Sequence, residues 1–75
     1  MGSGGPVLDA RFMLEYALIF AAGHGRLEVV EFLLGQGPDL SIREPRWNSS
    51  ALGQAEYHGR TRVVELLEPL SKGPS

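Results

Sequence analysis

The sequence predicts an all-α fold: a solenoid of two helix–turn–helix units joined by a turn-rich connecting loop. Three observations predict it. Apolar residues recur at helical spacing on both sides of a Gly- and Pro-rich middle. Each apolar stretch closes on Gly or Pro, the residues that stop helices. The second half of the chain also repeats the first at a fixed offset of 34 residues, the mark of stacked repeats.

The first helix is expected over Leu8 to Gly23. Leu14, Ala17, Leu18 and Ala21 fall at i, i+3, i+4 and i+7 and make one face. Phe12, Tyr16, Ile19 and Phe20 cover much of the opposite side, and a helix apolar nearly all round needs neighbours on more than one face. His24-Gly25 stops it, glycine supplying the left-handed conformation that closes a last turn. A short second helix follows over Leu27 to Leu34, with Val30, Leu33 and Leu34 inward and Glu28 and Glu31 toward solvent. Gly35-Gln36-Gly37-Pro38 ends it, and Asp39 to Ser49 has no period, with Pro45, Asn48 and Ser49 favouring turns. The third helix is expected from Ala51 to Tyr57, capped by the hydroxyl of Ser49 or Ser50 and stopped at His58-Gly59. The fourth covers Arg62 to Leu67 and ends near Pro69. Residues 1–6 read as a flexible leader or cloning remnant, 7–70 as a single repeat domain split at 7–37 and 38–70, and 71–75 as a frayed tail.

Slid by 34 positions, Ala17 to Leu34 lies over Ala51 to Glu68 with ten of eighteen residues identical and no gap. His24-Gly25-Arg26 returns as His58-Gly59-Arg60, and Val29-Val30-Glu31 as Val63-Val64-Glu65. With Ala21-Ala22, Gly25, Leu27-Glu28-Val29-Val30 and the Leu33-Leu34 pair, the first unit resembles the ankyrin repeat family. Gly37-Pro38-Asp39-Leu40 is similar to the segment that leads into that family's projecting β-turn. The resemblance covers about residues 16 to 70, and the second unit keeps Ala51-Leu52, Ala55, Gly59, Val63-Val64 and Leu66-Leu67. The family's Thr-Pro-Leu-His stands here as Tyr16-Ala17-Leu18-Ile19 and Ser50-Ala51-Leu52-Gly53, so neither unit carries its turn-linking histidine. A period of 34 against the family's roughly 33 implies one extra residue in the turn around Pro45 to Asn48. Tetratricopeptide repeats share the longer period, but their helices are longer and their Trp and Tyr positions do not match.

The composition narrows the function. Seven Lys/Arg against nine Asp/Glu give a charge of −2, and the basic residues are interleaved with Glu, so no stripe forms to track nucleic acid. The longest apolar run, Ala17 to Ala22, is far short of a membrane span. With no Cys and no signal-like start, the cytoplasm is favoured, and thiolate metal sites are excluded. His24 and His58 sit at equivalent helix ends, where an imidazole suits the carbonyl end of the dipole better than it makes a metal site. Glu28, Glu31 and Glu65 read as solvated helix faces, and no catalytic residues, metal or cofactor are expected.

What the ankyrin resemblance implies is a non-enzymatic protein-interaction module. Its partner surface would use Pro45, Arg46, Trp47 and Asn48 of the turn, Gln54 and Tyr57 of the third helix, and Gly23 and His24 of the first. Trp47 is either a plug folded back on the helices or an exposed recognition anchor. Two further readings concern the apolar first helix: Phe12, Tyr16, Ile19 and Phe20 pack on a second copy in a homodimer, or on a neighbour in a longer array.

Overall fold

The computed structural model describes residues 10–71. The expected leader, a helix start at Leu8 and the last residues of the tail lie outside that span. A short 3-10 turn, Ala10–Phe12, runs into α1, Met13–His24, followed by α2, Leu27–Leu34, α3, Ala51–Tyr57, and α4, Thr61–Ser71. Among the described residues the β pairing is confined to an isolated antiparallel bridge between Glu44 and Ser49.

The bounds of α2 and α3 are those the Gly and Pro stops predict. The fourth helix is longer than expected, running through Pro69 to Ser71. Proline lacks an amide hydrogen and its ring crowds the carbonyl four residues back, so it denies that carbonyl its bond. Here that carbonyl is Glu65's, and only Leu70 and Ser71 follow the proline in the helix, so little of the hydrogen-bond ladder lies beyond the break. The ring is therefore tolerated, and Leu70 and Ser71 belong to the helix rather than to a frayed end.

The two units close their first helices in the same way. Gly25 and Gly59 have φ of 72° and 69°. At the first, the Arg26 amide donates to Ala21 O at 3.0 Å; at the second, the Arg60 amide donates to Ala55 O at 2.8 Å. Only a residue without Cβ takes this left-handed turn at no steric cost, so the repeated His-Gly-Arg is a repeated backbone geometry. Ser50 caps α3, its Oγ accepting from the Gly53 amide at 3.2 Å.

α1 packs against both α2 and α3, α3 packs on α4, and α2 also meets α4. Leu18, Ile19, Ala22, Val30, Ala55, Val63 and Leu67 are buried between them, the alanines letting the helices approach closely. The connecting loop is tied to this core. The Asp39 amide donates to the Glu15 carboxylate at 2.7 Å, and Leu40 and Ile42 pack onto the buried cluster.

Candidate protein-interaction surface

The chain after Ile42 turns back on itself over residues 45–48. The Glu44 amide donates to Ser49 O at 2.9 Å, and the Trp47 and Asn48 amides donate to Glu44 O at 3.2 and 2.6 Å. Asn48 adopts φ of 53°, a left-handed position that Asn tolerates better than most residues. Residues 45–48 thus form a four-residue loop inside the Glu44–Ser49 bridge.

Glu44 holds this loop from within. Its side chain is fully buried and accepts from the Arg46 amide at 2.6 Å, Arg46 Nε at 2.6 Å and the Trp47 amide at 3.1 Å. Burial pushes its carboxyl up, but these donors and the Arg46 charge outweigh it and hold the pKa below the ordinary value. Sequence reasoning did not single out Glu44. Its only signal is a carboxylate at the entrance of a turn with an Arg two positions on.

Arg46 is oriented by that ion pair. Its guanidinium carbon lies 5.5 Å from the centroid of the Phe20 ring and 5.4 Å from that of Trp47. The Trp47 ring meets Phe20 edge to face, centroids 5.0 Å apart at 76°. Trp47 is therefore a plug on α1 and also an open indole, with 45% of its surface exposed.

A groove of about 740 Å³ opens beside it. Ile19, Phe20, Gly23 and His24 of α1 form one wall, Trp47 and Ser49 one end, and Gly53, Gln54, Tyr57 and His58 the other wall. A Cβ on Gly23 would stand 3.1 Å from Gln54 Oε1 and 3.3 Å from His58 Cδ2, so glycine is what lets the two walls meet. Gln54 is buried and pairs with His58 Nε2 at 3.1 Å. The Tyr57 ring stands edge-on to His58, with centroids 5.0 Å apart.

The structure thus brings Gly23, His24, Trp47, Gln54 and Tyr57 together around the groove. Pro45, Arg46 and Asn48 are exposed on the turn and do not line the groove. Ser49, Gly53 and His58 line it without having been anticipated; the register match of His58 with His24 was the available signal. Among the described residues no group of three or more His, Cys, Asp or Glu is placed to hold a metal ion, and no helix is long and apolar enough to cross a membrane.

The apolar first helix differs from expectation. Tyr16 and Ile19 are buried within the chain, Phe12 is partly buried, and Phe20 is covered by Trp47 and Arg46. These four residues do not share a free face. Phe12 stands edge-on to Tyr16, Phe20 meets the chain's own turn, and α1 as a whole is packed against α2 and α3.

No curated protein and no solved structure matches the chain. The family model for ankyrin repeats (many copies) matches residues 15–68, more than half of the sequence and both helix pairs. With the 34-residue register, the paired Gly25 and Gly59 turns and that match, the chain belongs to the ankyrin repeat family.

Proposed function

We infer that this chain is a non-enzymatic protein-binding module that holds a segment of its partner in the groove between the turn at 45–48 and the ends of α1 and α3. Ankyrin repeats are in general protein–protein interaction modules, and the observation that carries the reading here is Tyr57. Its ring stands 82% exposed on the groove wall. The open indole of Trp47 lines the same groove. Large aromatic side chains left in water beside a depression are the residue types that anchor interfaces. Gly23, His24, Gln54 and Tyr57 would contact the bound segment directly, with Trp47 closing one end. Pro45, Arg46 and Asn48 would meet the partner at the rim. The reading invokes no cofactor, nucleic acid or membrane, and the His58 ring is engaged with Gln54 rather than poised over a reacting atom.

The test is selection of peptides from a random phage-displayed library on the intact chain, followed by titration of the selected peptides. Tyr57→Ala removes an exposed ring and leaves the fold intact by circular dichroism. It should weaken the selected peptides roughly tenfold or more, the scale of an interface hot spot. Peptides that bind Tyr57→Ala and Trp47→Ala as tightly as the parent would place the partner site elsewhere.

A further inference from the structure

The groove is uneven in charge along its length. None of its lining residues is Asp or Glu, in a chain that carries nine of them against seven Lys and Arg. The carboxylates lie elsewhere. Glu44 is buried and paired with Arg46, Glu15 accepts from the Asp39 amide, and Glu28, Glu31 and Glu65 are exposed on α2 and α4. Beside Trp47 the α1 wall is apolar, formed by Ile19 and Phe20. Arg46 stacks on Phe20 there, but its charge is already matched by Glu44.

One turn further along α1, around Gly23, the wall presents donors. Arg60 Nε donates to Gly23 O at 3.0 Å, and this exposed residue has no carboxylate partner among the described residues. The acceptors nearby are already engaged. Gly23 O takes Arg60, Gln54 Oε1 takes His58 Nε2, and Ala21 O and Ala22 O take the amides of Arg26 and Gly25. Capping of this kind offsets the negative end of the α1 dipole, which would otherwise repel an anion. What stays open to a ligand is the exposed His24 ring and the rest of the Arg60 guanidinium. A carboxylate finds donors and a positive charge there, whereas an ammonium finds no counter-charge.

With the groove taken as the partner site, as inferred above, we propose that the segment it holds is acidic. It is an extended stretch of the partner, with an apolar or aromatic side chain against Phe20 and Trp47 and an Asp or Glu carboxylate directed at His24 and Arg60. The spacing follows from the two backbones. Phe20 and His24 are about one helical turn apart, ~5.4 Å. Side chains on one face of an extended chain recur at every second residue, ~6.6 Å. The acid therefore stands two positions from the apolar anchor.

The test uses the peptides that the phage library returns on the intact chain. The expected consensus is an apolar or aromatic residue with Asp or Glu two positions away. Changing that acid to its amide in the synthetic peptide should weaken binding about tenfold, the scale of a hydrogen bond to a charged group. His24→Glu, at an exposed position, should weaken the acidic peptide and favour a version with Lys in place of the acid. Peptides that lose affinity in Tyr57→Ala, yet carry no acid or bind equally as the amide, overturn the acidic segment and leave the groove as the partner site. An acid-dependent peptide unaffected by both His24→Glu and Arg60→Gln overturns it as well, since its carboxylate then sits elsewhere. Peptides indifferent to Tyr57→Ala and Trp47→Ala, or a library that yields no binder, overturn both the acidic segment and the groove.

Discussion

Glu44 concentrates several constraints in one side chain. It is a fully buried carboxylate in a small protein, stable there because donors on Arg46 and Trp47 point at it. Glu44→Gln keeps the shape, but the carboxamide must offer an N–H toward one of those donors. The expected cost is about 1–3 kcal/mol, the usual range for burying an unmatched polar group, read as a lower denaturation midpoint. The sign of its pH dependence follows from the same bonds. They favour the charged form, so the folded pKa lies below the ordinary 4.5. The stability this group contributes is complete above that value and is lost as pH falls through the lower folded value. Asp39 acts in the same direction, lowered by the Ser41 hydroxyl and amide that donate to it. Acid titration of Glu44→Gln should therefore show a shallower loss of stability below about pH 4.5 than the parent. An unchanged acid limb would mean that other carboxylates carry it.

At the scale of the element, caps and stops explain most of the architecture. Ser50→Ala removes the hydroxyl that accepts from the Gly53 amide and should cost about 1 kcal/mol, with the helix pair retained by circular dichroism. Gly25→Ala should cost more, because the residue has φ of 72° and its new Cβ would meet Arg60 Cδ at 2.9 Å. These elements were legible in the sequence because Gly, Ser and Pro report backbone geometry directly; α2 and α3 could be bounded from them alone. The end of α4 was not, since a proline's effect depends on how many turns remain after it. The apolar circumference of α1 was legible as a fact, but its meaning was not. Ile19 reads the same whether its neighbour is a second molecule or a helix some 34 residues along the chain. The groove was half legible for a related reason. Trp47 and Tyr57 stand out as aromatics in turns, whereas Ser49 and Gly53 matter only through where α3 sits. Glu44 was invisible because a carboxylate is ordinarily a surface group.

At the scale of the whole molecule, two helix pairs share one core, so neither unit has a separate stability. A chain of this length has about 4–11 kcal/mol of stability in total at the usual figure per residue. Leu67 is fully buried on α4, whereas its equivalent Leu33 on α2 is only partly covered. Leu67→Ala should cost about 2–5 kcal/mol, a large share of that total, and Leu33→Ala distinctly less. The repeat is therefore chemically regular but energetically asymmetric. Because α1 is packed against both α2 and α3, the loss at α4 cannot stay local. Trp47 lies in the connecting turn against Phe20 of α1, far along the chain from Leu67, and its fluorescence reports that junction. In Leu67→Ala the fluorescence transition and the loss of helical circular dichroism should move together to the same lower midpoint. Were the helical signal to fall first while Trp47 stayed in its native environment, the second helix pair would be melting alone. The units would then be two weakly coupled cores rather than one.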